Sequence, residues 1–480
     1  MRDLTALAVC LYLLCSLCAI SAVQKSCPTE CQCEPRNQVQ CQGETITEFP
    51  SPIPANTSYL FIYNTKFSAL KPSDFEGFAE SLTNLNISNS GITQILDDTF
   101  NQTRGLTSLS LRGTNVSSLP PRLFWEMSGL EKLLLDRNKI ESLSEDTFRG
   151  LGRLKMLHLS LNALQTIPAE VFVDLVDLEE LSLYGNKIKT LPATLFSKLG
   201  KLKTLYLSRN QISKLPEGIF SELRNLSKLS LFGNGLVSLP IFVPMPLEEL
   251  WLYDNKLTHL KDDMFRNLTQ LRLLVLSRNQ IRSVSVHAFR GLASLGEVSL
   301  KNNRLEGLLN GTFSGLPKLV NISLEHNQLR ALPGSLLQDL PLLRSLDLHN
   351  NSLSNLLQEL LDSLQQAEEV LLAQNPWKCD QDILPLINWL DHRSDLQNIS
   401  DVICHFPESL KGTPVVKVSL LGSEPVTWGG DIHRIITALV CTFAITVFIG
   451  AICWRRRKEK TVPPQFEMMN QDLEQFVHGE

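Results

Sequence analysis

The cysteines carry the most reactive chemistry in this chain. Cys27, Cys31, Cys33 and Cys41 lie close together, and Cys379 and Cys404 stand far downstream. A tight thiol set serves either as thiolates on a zinc ion or as oxidised pairs. The compartment decides, because disulfides persist outside the reducing cytosol. Residues 1–22 begin with Arg2, run apolar from Leu7 to Ile20 and end on the small Ser21 and Ala22. That is the pattern of a secretory signal. Disulfides are therefore expected and no metal site is. Four clustered cysteines allow three pairings, and their spacing does not choose among them.

The second kind of chemistry is non-covalent. Tyr184, Tyr206, Phe232, Trp251 and Tyr253 recur at positions that a repeating strand would turn to solvent, beside Arg209, Asp254 and Arg278. Large aromatics among mixed charges are the composition of a protein-binding hot spot. The competing reading is that aromatics simply pack well on a sheet surface. Covalent catalysis has no candidate. HExxH, GxSxG, GxxxxGK[ST] and a calcium loop are all missing from the sequence. The expectation is a binding protein with no catalytic residue, no metal and no cofactor. A net charge of −5 over 480 residues gives no reason to expect nucleic acid as a partner.

A repeat must position these residues. LxxLxLxxNxL recurs with its Asn at 138, 162, 186, 210, 234, 255, 279, 303, 327, 351 and 375. The period is 24 residues, except for one step of 21 between Asn234 and Asn255. Thr65, Ser90 and Thr114 extend the column backwards, giving about 14 turns. A phenylalanine follows ten residues after most of these positions, from Phe75 to Phe313. This is the leucine-rich repeat. The LxL pair puts two side chains on one face of a short strand, and neither is buried until turns stack. The Asn turns inward where the strand ends and satisfies backbone groups there. The expected fold class is an α/β repeat, a solenoid with a parallel sheet on its concave face. Strands about 4.8 Å apart would make that sheet roughly 65 Å long.

The domain organisation follows. Residues 1–22 are read as signal, 23–55 as an N-terminal cysteine cap and 56–374 as repeats. Residues 375–410 are read as a C-terminal cap and 411–434 as a juxtamembrane segment. Ile435–Trp454 is uncharged and long enough to cross a bilayer, and Arg455, Arg456, Arg457 and Lys458 follow it. It is read as a transmembrane helix, with 455–480 as a cytoplasmic tail too short for a signalling domain. The expected localisation is the plasma membrane, single-pass type I, with the ectodomain outside.

Ten sequons fall before that stretch: Asn56, Asn86, Asn101, Asn115, Asn225, Asn267, Asn310, Asn321, Asn350 and Asn398. Three of them, Asn86, Asn321 and Asn350, map to concave strand positions near the two ends. The concave positions from Lys132 to Arg278 carry none.

Two stretches, PMPLEELWLYDNKLTHLKDDMFRNLTQLRLLVLSRNQI at 244–281 and NPWKCDQDILPLINWL at 375–390, resemble leucine-rich-repeat cell-surface proteins of the leucine-rich repeat-containing protein 15 type. The N-terminal cap and repeat are also similar to platelet glycoprotein V and the large subunit of carboxypeptidase N. The resemblance implies pairing of Cys27 with Cys33, Cys31 with Cys41 and Cys379 with Cys404. It implies binding to collagen, fibronectin or laminin in cell–matrix adhesion. Platelet glycoprotein V implies instead a non-catalytic subunit beside a membrane co-receptor, and carboxypeptidase N an enzyme-carrying scaffold.

Overall fold

A computed structural model describes residues 27–393 and 395–419. Sixteen strands form one sheet in chain order. The first two, Cys31–Glu34 and Gln38–Gln42, are antiparallel, and every later neighbour is parallel.

Each repeat contributes a strand of three to five residues. In the turn that ends at Asn186, Leu181 and Leu183 are wholly buried while Tyr184 between the sheet and solvent is half-buried. Burying such a leucine contributes about 2 kcal/mol, and stacking the turns repeats that gain along the solenoid. The asparagine amides tie turn to turn. Asn186 Nδ2 donates to Leu159 O at 2.9 Å and to Leu183 O at 3.0 Å, while its Oδ1 accepts from Leu164 N at 3.1 Å. Asn162, Asn210, Asn279 and Asn303 bond in the same way. Behind the leucines the phenylalanines stack. Phe100, Phe124, Phe148 and Phe172 follow one another with ring centroids 6.2–6.4 Å apart. In the 21-residue turn Phe242 fills this column, 6.2 Å from Phe220, although it stands two residues earlier than the period would place it.

Two parts of the expected fold class are corrected. The molecule is a β-solenoid with disulfides rather than an α/β repeat. Among the described residues the α-helices are Gln358–Asp362 and Leu384–Asp391. Most return segments are turns. Prolines at their start favour i→i+3 closure, as in Leu195 N to Pro192 O at 3.2 Å. The transmembrane helix is the second correction: no helix among the described residues is long and apolar enough to cross a membrane. Residues 435–454, like 1–22 and 455–480, lie outside the described residues.

Both solenoid ends are closed by disulfides. Cys27–Cys33 and Cys31–Cys41 pin the antiparallel pair at the start, and Cys379–Cys404 pins the end. Trp377 is fully buried there, and its indole N–H donates to Leu372 O at 3.2 Å. Packing of this cap continues to Val415, which is also fully buried.

Candidate recognition site on the sheet face

The parallel register turns the repeat into straight columns on the solvent face of the sheet. Ser182, Tyr206, Ser230, Trp251 and Val275 are successive partners in one column. Tyr184, Ser208, Phe232 and Tyr253 occupy the next, two residues further along their strands. Each aromatic is half-buried by its neighbours. Phe232 stacks on Tyr253 with centroids 4.2 Å apart, and Tyr184 leans toward Phe232 across Ser208 at 6.1 Å. Trp251 meets Tyr253 edge-on at 6.4 Å.

Serines make the space between these rings. Tyr206 and Trp251 stand two strands apart, about 10 Å at sheet spacing, with only Ser230 between them. The result is a pocket of about 410 Å³, floored by Leu229 and Ser230 and walled by Tyr206, Trp251 and Phe232. Ser208 and Ser230 are buried and share a hydrogen bond of 2.6 Å. One rim is an ion pair, Lys228 Nζ to Glu249 Oε1 at 2.8 Å, and Trp251 Nε1 donates to Glu249 Oε2 at 3.3 Å.

Burial holds the phenols of Tyr206 and Tyr253 above the ordinary tyrosine range. Glu180 raises the first further, and Asp254 the second. Both remain neutral hydrogen-bonding groups at physiological pH.

The eight proposed binding residues do not form one ring. Tyr184, Tyr206, Phe232, Trp251 and Tyr253 converge on the pocket. Arg209 lies over the Tyr184 ring, 5.8 Å from its centroid. Asp254 and Arg278 sit further along their strands, paired with each other at 2.6 Å, and do not line it. Sequence reasoning passed over Ser208 and Ser230. Their signal was a small residue at the columns' otherwise aromatic positions, visible only when the turns are aligned.

Leucine-rich-repeat models match residues 80–140, 128–188, 177–236, 246–305 and 294–353. Those spans cover more than half of the chain, so it belongs to the leucine-rich repeat family. Human leucine-rich repeat-containing protein 15 is 43% identical over 49 residues, covering 10% of this chain and 8% of the relative. Mouse Nephrocan is 31% identical over 120 residues, 25% of this chain and 22% of the relative. The chain thus spans less than a third of the length of these curated relatives. The solved Drosophila Toll–Spatzle complex aligns at 25% identity with a TM-score of 0.61, covering 78% of this chain and 53% of that one. The disulfides and these similarities make this an extracellular-type member of the family, secreted or at the cell surface. They do not single out a leucine-rich repeat-containing protein 15 assignment.

Proposed function

We propose that the chain is an adhesion or recognition receptor that binds an extracellular protein at the aromatic pocket of its sheet face. The observation that carries this reading is the one-residue slot between Tyr206 and Trp251. An aromatic-walled, mostly apolar pocket inside a charged rim suits one anchoring side chain of a partner. The eight residues named above would contribute as pocket walls, or, for Arg209, Asp254 and Arg278, as flanking charges. The ten sequons would be glycosylated, leaving the centre of the sheet bare. Resemblance points to collagen, fibronectin or laminin as the ligand. Toll holds the protein Spatzle in the complex aligned above, which supports a protein ligand in general.

Surface plasmon resonance of the purified protein over immobilised collagen, fibronectin and laminin tests this. Saturable binding to one of them, weakened in the Tyr206→Ala/Trp251→Ala form, is expected. Silence on all three would favour the second reading, a non-catalytic subunit that a membrane co-receptor retains through purification.

A further inference from the structure

A second aromatic group stands on the same sheet face, near its N-terminal end. The strand Tyr59–Tyr63 alternates buried Leu60 and Ile62 with outward Tyr59, Phe61 and Tyr63. Tyr59 is 40% exposed. Gln40 Nε2 donates to the Tyr63 hydroxyl, so that ring is anchored. Phe61 has no such polar handle.

Its direct partner in the parallel register is Asn86, within the sequon Asn86-Ile87-Ser88. Both side chains point to the sheet's solvent face, where opposite Cβ atoms lie about 5 Å apart. The Asn86 amide is oriented in a particular way. Its Oδ1 is buried with no hydrogen-bond partner, and so is the hydroxyl of Ser110, the next residue across the sheet. That leaves Nδ2, the atom a glycan is attached to, as the exposed end. The other two sequons on this face have no phenylalanine, tyrosine or tryptophan as their neighbour: Asn321 stands between Glu297 and Ser345, and Asn350 bonds to the His326 imidazole at 2.8 Å.

We infer that the first sugar of an Asn86 glycan lies on the Phe61 ring and covers the Tyr59–Phe61–Tyr63 group. The sugar's axial C–H face is apolar and meets an aromatic face well, while its hydroxyls and acetamide remain in water. The glycan is then a structural part of the sheet. It closes the N-terminal aromatic group to partners and leaves the central pocket as the free one.

The test uses the full chain made in glycosylating cells. Site occupancy is read by peptide mass spectrometry, and melting temperature by scanning fluorimetry. Wild type, Asn86→Gln and Ser88→Ala are compared with and without Phe61→Ala. Trimming to a single N-acetylglucosamine should leave the melting temperature unchanged. Removing the sequon by either route should lower it by about 2 °C when Phe61 is present, and by nothing in the Phe61→Ala background. An unoccupied Asn86, or an equal drop in both backgrounds, overturns the inference.

Discussion

The ring of Phe232 lies face to face on that of Tyr253, 4.2 Å between centroids and 9° from parallel. Two adjacent repeats are thereby locked at the back of the pocket, and the locking residues are not those at its mouth. A stacked aromatic pair is worth about 1 kcal/mol beyond the area it buries. The two roles can be separated by mutation. Tyr206→Ala and Trp251→Ala should each reduce ligand affinity by about 2 kcal/mol with a smaller drop in melting temperature than Phe232→Ala. Phe232→Ala should weaken binding and also lower the melting temperature. Titration calorimetry beside scanning calorimetry distinguishes them.

The asparagine ladder predicts where the solenoid is weakest to substitution. Asn210→Ala removes the donor to Leu183 O and Leu207 O and the acceptor for Ile188 N. Buried backbone groups left unpaired cost about 1–3 kcal/mol each. The expected loss is about 3 kcal/mol or more in urea unfolding, with reduced secretion. A change under about 0.5 kcal/mol, the range of ordinary surface sites, would mean water satisfies these groups.

The tyrosines set a pH limit. Burial, the largest cause, raises the Tyr206 and Tyr253 phenols above their ordinary value, so the folded state holds these protons more tightly than the unfolded chain. Their contribution to stability is full below about pH 10, the unfolded tyrosine pKa. It is lost as pH rises through the higher folded values. The Tyr206→Phe/Tyr253→Phe form should show a shallower fall in urea midpoint between pH 9 and pH 11. Parallel curves would remove the desolvated-phenol account.

The repeat was legible in the sequence because its buried positions are set by period: Leu181, Leu183 and Asn186 follow from spacing alone. The pocket was partly legible. Tyr206 and Trp251 could be assigned to one column, yet the gap between them depends on Ser230 being small, and small residues leave no hydrophobic pattern. The α/β label does not hold, because most return segments are i→i+3 turns, several of them started by proline, rather than helices. Phe242 escaped the phenylalanine count because it stands two residues early in the 21-residue turn, and its stacking on Phe220 restores its place.

Glycan masking tests most directly whether ligand binds the sheet face at the pocket. Lys228→Asn creates an Asn-Leu-Ser sequon at 228–230 in the middle of that face, and Glu145→Asn creates Asn-Asp-Thr at 145–147 on an exposed turn away from it. Once mass spectrometry confirms the added glycan on each, binding to the matrix ligand is measured by surface plasmon resonance. Abolished binding for Lys228→Asn with wild-type binding for Glu145→Asn is the predicted result. Wild-type affinity in the glycosylated Lys228→Asn protein would contradict it, and recognition would then belong to another surface.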